Sequence, residues 1–173
     1  MWKILKSGDY AIYNGQVYKI LFDSQIVSPF KIEGIHYYKA IYKICDITLQ
    51  DYEGNKIPIA SISQLESVYH ISTHFELLNI KCDVFGEETD GSLITDINSE
   101  QLKVLKSIVL SYWQVEIDFF RVIIPLDKID SIWYKRESLG IDYNEPIPFN
   151  SPKITYIKMY GQWLDVPLDE QIL

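Results

Sequence analysis

Alanine is almost missing from this chain: Ala11, Ala40 and Ala60 are the only three in 173 residues. The strongest helix former is thus nearly absent, which argues against a helical protein. Arginine is scarcer still, with Arg121 and Arg136 alone, and the net charge is −8. Affinity for nucleic acid comes from clustered cations, so a phosphate- or base-reading surface is disfavoured. Cysteine is limited to Cys45 and Cys82. Two thiols make no disulfide framework, and each reads as a small core or strand residue of a reducing compartment. The eight glycines are scattered singly, leaving no phosphate-cradling loop, no dinucleotide fingerprint and no G-x-S-x-G elbow. No apolar run reaches the length of a membrane span, and residues 1–9 turn polar too soon for a secretory leader. These absences lead us to expect a soluble cytoplasmic protein that uses no cofactor and no metal.

What is present points to strands. Hydrophobic residues make up 47%, with 13 Tyr, 7 Phe and 4 Trp, and aromatic and β-branched side chains suit a pleated, half-buried surface. Residues 9–13 and 16–22 flank Asn14-Gly15, the dipeptide of a type I′ hairpin turn. Ile26 and Val27 then read as a short strand stopped by Ser28-Pro29. Residues 37–49 form a long β-rich run, turned at 52–55 into a strand over 56–59.

Two stretches carry one pattern. Residues 62–69, Ile-Ser-Gln-Leu-Glu-Ser-Val-Tyr, and residues 126–133, Leu-Asp-Lys-Ile-Asp-Ser-Ile-Trp, lie 64 positions apart (62 against 126). Each runs apolar, polar, polar, apolar, acidic, Ser, β-branched, aromatic, and each follows a short apolar run that contains a proline. Between the copies, 75–85 reads as one strand, 86–91 as an exposed acidic turn, and 92–95 as a further strand. Residues 99–113 are ambiguous. Ser99 is a candidate cap and Leu102, Leu105, Ile108, Val109 and Tyr112 form a helical stripe. The offset of 64 instead maps this region onto the extended run 39–45, so we expect a helical turn over 99–104 and extended chain over 106–112. Residues 114–124 read as one strand, 125–129 as a turn, 131–136 as a closing strand. A proline-rich connector over 145–152 leads to a strand over 153–160 turned at Gly161, with Trp163, Leu164 and Val166 covering an open edge.

A strand bearing Ile57-Pro58 after the Gly54 turn, a single helical turn at 61–65 and a last strand over 67–71 together resemble an SH3-like barrel. The resemblance covers residues 8–72. Combined with the recurring pattern, it implies a mainly β fold of two SH3-like barrel or half-barrel units, 1–72 and 73–140, with at most one short helix near 99–112. Residues 141–173 would then pack back as connector and strand. Leu65 and Ile129 should point into the two cores.

The residues carry little chemistry. His70 and His74 could chelate zinc on a helix, but on a strand that spacing is roughly 13 Å, and no further ligand stands at a zinc spacing. Cys82-Asp83 has no histidine placed with it by any motif. What stands out is acid joined to aromatics: Glu87, Glu88 and Asp90 in one loop, and Asp127, Asp130, Trp133, Tyr134 and Glu137 in another region. Aromatics give rigid contact area and carboxylates steer and pair with a basic partner. The plainer reading is a solvated rim over core aromatics. By size, charge and these acidic aromatic regions the chain is similar in class to the immunity proteins that neutralise bacterial toxins. That likeness carries no individual residue across. It implies a non-enzymatic binder of a cognate basic toxin, with those eight residues as the candidate surface. The alternative is an SH3-like adaptor for peptides.

Overall fold

The computed structural model describes residues 4–31, 38–139, 147–149 and 153–165. In chain order these form β1 (Gly8–Tyr13), β2 (Gln16–Lys31), β3 (Tyr38–Gln50), β4 (Lys56–Ile59), a 3₁₀ turn (Ile62–Gln64), β5 (Ser67–Leu77), β6 (Ile80–Val84), β7 (Gly86–Glu87) and β8 (Leu93–Asn98). The helix α1 (Ser99–Leu105) follows, then β9 (Ser111–Glu116), β10 (Phe119–Ile124), a second 3₁₀ turn (Leu126–Lys128), β11 (Ser131–Glu137), β12 (Lys153–Met159) and β13 (Gln162–Trp163). The protein is mainly β, its sheets antiparallel, with one short helix among the described residues. The expected strand start at Tyr37, most of the connector and Val166 lie outside the described residues. Two compact units divide the chain, one of Gly8–His70, Glu137–Ser151 and Ile172–Leu173, the other of Met1–Ser7, Ile71–Arg136 and Pro152–Gln171.

In the unit built on β1 to β4, the hairpin turns at Asn14 and Gly15 with φ of 51° and 72°, the positive pair that a type I′ turn needs. The Glu66 carboxylate accepts the Gly15 N–H at 2.8 Å. Antiparallel β2 and β3 are long, and β2 runs on through Ser28-Pro29 to Lys31, where a stop was expected. A register shift between Ile26 and Ser28 marks a bulge just before the proline, and Pro29 itself stands opposite Ala40. Asp51 closes the next turn by accepting the N–H groups of Glu53 and Asn55. The first 3₁₀ turn is held by a capping box of Ser61 and Gln64. It delivers Ile62 and Leu65 into a core with Ala11, Ile20, Leu49 and Val68.

The other unit turns its first hairpin at Leu78 and Asn79, φ 50° and 64°, so β5 and β6 are two strands where one was expected over 75–85. Asp130 makes this turn possible: its carboxylate accepts the Leu78 N–H at 2.9 Å and its own N–H donates to the Glu76 carbonyl at 3.0 Å. In the unit built on β1 to β4, the Glu66 N–H donates to the Ile12 carbonyl at 2.8 Å, between residues each 64 positions earlier (12 against 76, 66 against 130). Residues 114–124 also make a hairpin rather than one strand, because Asp118 takes φ 64° between β9 and β10. The second sheet has the order β7-β8-β10-β9, which leaves β9 at an edge.

Helix α1 is capped by Asn98, not Ser99. Asn98 and Gln101 form a reciprocal capping box, and the Ile108 and Val109 N–H groups close the C-terminus on the Leu105 carbonyl. The chain is therefore helix and turn over 99–108 and becomes extended only at Ser111, later than the expected 106. Local capping outweighed the offset pattern here. Phe75, Leu93, Ile97, Leu105, Ile124 and Ile129 are buried in this unit's core.

Candidate functional site

The residues singled out for partner binding divide by environment. Tyr134 is fully buried, donates its hydroxyl to the Ile4 carbonyl at 2.9 Å and carries the Lys6 ammonium over its ring. Trp133 is 9% exposed, stacked on His74 and tilted against Tyr156. Both aromatics serve packing. The Glu87 carboxylate accepts the N–H groups of Ile4 and Leu5 at 3.1 and 2.8 Å, so it pins the chain start where an exposed acidic turn was expected. Asp130 holds the Leu78 turn. Glu88 and Asp127 are exposed, the latter 3.3 Å from Lys128, and Glu137 is partly buried at the end of β11.

Asp90 and Asp127 do come together. They line one cavity of about 640 Å³ with Ser92 and Lys158, over apolar walls of Ile4, Leu110, Pro125, Leu126 and Trp163. That volume falls within the roughly 300–1,000 Å³ of ligand sites. Asp90 accepts the Ser92 N–H at 2.8 Å, and Ser92's backbone and hydroxyl hold its carboxyl below the usual range, so it stays ionised. Lys158 is 3% exposed, donates to the Leu126 carbonyl at 2.8 Å and lies 5.5 Å from the Trp163 ring centre. Burial lowers its pKa, against the attraction of Asp127 and Asp130.

Beside Leu110 the wall continues into β9. All six residues of β9 are exposed, and among the described residues the exposed large apolar side chains concentrate here. Leu110, Tyr112, Trp113, Val115 and Phe119 are each more than a third exposed, and Ile117 at the hairpin tip reaches 86%. Glu116 and Asp118 place two carboxylates at that tip. On β10, Arg121 is held by a paired bond to Asp96 at 2.9 and 3.0 Å and stands 4.3 Å above the Phe85 ring. The alternation around Val115, Ile117 and Phe119, followed by a continuous apolar run, implies one strand buried on both faces. Instead the chain turns at Asp118, all six residues of β9 are exposed, and β9 lies at the sheet edge.

No family model, curated protein or solved structure matches this chain. Its chemistry must be judged from its own groups. Ser72, His74 and Asp83 are connected as hydroxyl, imidazole and carboxylate, with Ser72 Oγ to His74 Nε2 at 2.7 Å and His74 Nδ1 to Asp83 Oδ1 at 2.8 Å. The connectivity is that of a nucleophile, a base and an orienting acid. Ser72 does not line the 640 Å³ cavity, however, and the Asp83 side chain is 88% exposed, where water competes for its hold on the ring. The sequence missed this set because residues 72, 74 and 83 meet only through the β5–β6 pairing. His70 is occupied separately, by Asp9 at 2.9 Å. Cys82 is buried, and desolvation lifts its thiol to about 11. Among the described residues no cluster of three or more His, Cys, Asp or Glu could hold a metal ion, and no helix is long and apolar enough to cross a membrane.

Proposed function

We propose that this chain is a non-enzymatic protein-binding protein, an immunity protein of the cytoplasm that blocks a cognate basic toxin. The observation that carries the reading is the exposed ribbon of β9: six exposed residues at a sheet edge, with Trp113, Ile117 and Phe119 flanked by Glu116 and Asp118. A large exposed apolar patch rimmed by polar groups marks a protein interface. Tyr and Trp anchors supply contact area, and carboxylates on a chain of net charge −8 steer a basic partner. The proposed acidic and apolar surface thus takes in the β9–β10 hairpin together with the exposed Asp90 and Asp127. The test is binding to the toxin encoded beside this gene, measured at two salt concentrations. Glu116→Lys with Asp118→Lys should slow association by roughly tenfold at low salt and flatten the salt dependence. Unchanged binding and salt dependence would sink this surface.

An adaptor reading is favoured by one observation, the edge-to-face Tyr13–Tyr18 pair of the first unit, 6.3 Å apart and partly exposed. Saturable binding of unrelated proline-rich peptides, lost in Tyr18→Ala, would select it over the toxin.

The architecture beneath either reading is two diverged SH3-like units. Supporting this, both hairpin turns have positive φ at positions 64 apart (14 and 15 against 78 and 79). Both are held by the acidic residue after a 3₁₀ turn, Glu66 or Asp130.

A further inference from the structure

The geometry points to the 640 Å³ cavity as a receptor for an arginine side chain of the protein partner, a role that rests on the reading of a basic partner and makes it specific. Four observations carry it. The polar lining is two carboxylates, Asp90 and Asp127, against one ammonium, Lys158, so it remains net negative whatever the state of the lysine. The ammonium is already engaged, since it donates to the Leu126 carbonyl and lies against Trp163. Asp90 is kept ionised by its hydrogen bonds from Ser92, and its carboxylate is exposed in the cavity lining, where it can accept a further charged donor. The walls are apolar, as the stem of a long basic side chain requires, and half of the Trp163 surface is exposed beside them as a face for a planar guanidinium.

Charge complementarity chooses this occupant. An anionic ligand would meet two carboxylates, and a wholly apolar one would take them from water with no new donor in exchange, a cost of binding that a guanidinium avoids. Arginine fits better than lysine because its planar fork can take two acceptors and stack on an indole together. The cavity exceeds one side chain, so a neighbouring apolar residue of the partner would fill the Leu110 side, which leads directly onto β9.

The experiment uses the full chain and three capped amino acids: acetyl-arginine methylamide, its neutral isostere acetyl-citrulline methylamide, and acetyl-glutamate methylamide. The reading is the indole N–H signal of Trp163, assigned by its loss in Trp163→Phe. We expect a saturable shift with the arginine compound, weaker by roughly tenfold for citrulline and absent for glutamate. Asp90→Asn with Asp127→Asn, both exposed positions, should weaken it by about tenfold while leaving the other indole signals in place. Equal binding of citrulline and arginine, tighter binding of glutamate, or no shift at all overturns the assignment. The toxin separates the two levels. If it binds the double variant as tightly as the parent, the cavity is not the anchor although the partner reading stands. If the arginine compound binds as expected and the toxin does not bind, the cavity stands and the partner reading falls.

Discussion

Acidic and aromatic residues have different jobs according to what their neighbours leave unsatisfied. Glu87 accepts two backbone N–H groups, while Trp133 and Tyr134 fill a core. Composition showed that acid and aromatic residues sit close in sequence, but which faced water depended on partners such as Ile4, more than 80 positions from Glu87. Leu65 and Ile129 were legible, because each is the one apolar residue between polar neighbours before a strand. They are 3% and 1% exposed, and Leu65→Ala or Ile129→Ala should cost about 2–5 kcal/mol in denaturant unfolding. Cys82 has a definite pH signature. Burial raises its thiol from 9.0 to about 11, so the unfolded chain loses the proton first and stability falls as pH rises through that window. Cys82→Ala should remove this part of the alkaline loss, and native Cys82 should react with iodoacetamide only as fast as the chain opens. Rapid labelling of Cys82 in the native protein, located by peptide mapping, would contradict its burial. Ser72→Ala should leave ester hydrolysis at background, which a turnover assay with an activated acyl ester checks.

Turns decided what was readable among the elements. The Asn14-Gly15 hairpin could be named from two residues because both accept positive φ at low cost. Leu78 at φ 50° could not, since leucine avoids that region and is held there by Asp130, 52 positions on. Asp130→Ala should therefore destabilise the protein by about 1 kcal/mol, with Asp130→Asn retaining most of the turn, as measured by thermal unfolding. A loss of partner binding in Asp130→Ala alone would then report a turn, not a contact. The 99–108 stretch departs from the expected extended chain in its second half for a related reason. Its capping box, Asn98 with Gln101, is written in the sequence one residue before the cap that was chosen. The β9–β10 hairpin hid because the residues around its Asp118 turn are apolar.

On the scale of the whole molecule, the β-rich character followed from the shortage of alanine and the wealth of aromatics, while the site was only half legible. Asp90 and Asp127 were named among the candidates, and the fold brings them to one cavity. Ile117 and Phe119 fall in the strand expected to be buried over 114–124, because sequence periodicity reports a face but not whether anything packs on it. A surface of net charge −8 should make partner association salt-sensitive throughout, so the apolar contacts need their own test. Trp113→Ser or Ile117→Ser should change stability by no more than about 0.5 kcal/mol, as these side chains are exposed, yet weaken the complex by roughly tenfold or more. The most direct measurement is amide hydrogen exchange of the protein alone and saturated with the proposed basic toxin. Binding through the ribbon predicts slowed exchange across Leu110 to Phe119 and at Asp90 to Ser92, with β1 to β4 unchanged. Protection confined to β1 to β4, with the β9 amides exchanging as in the free protein, would contradict it.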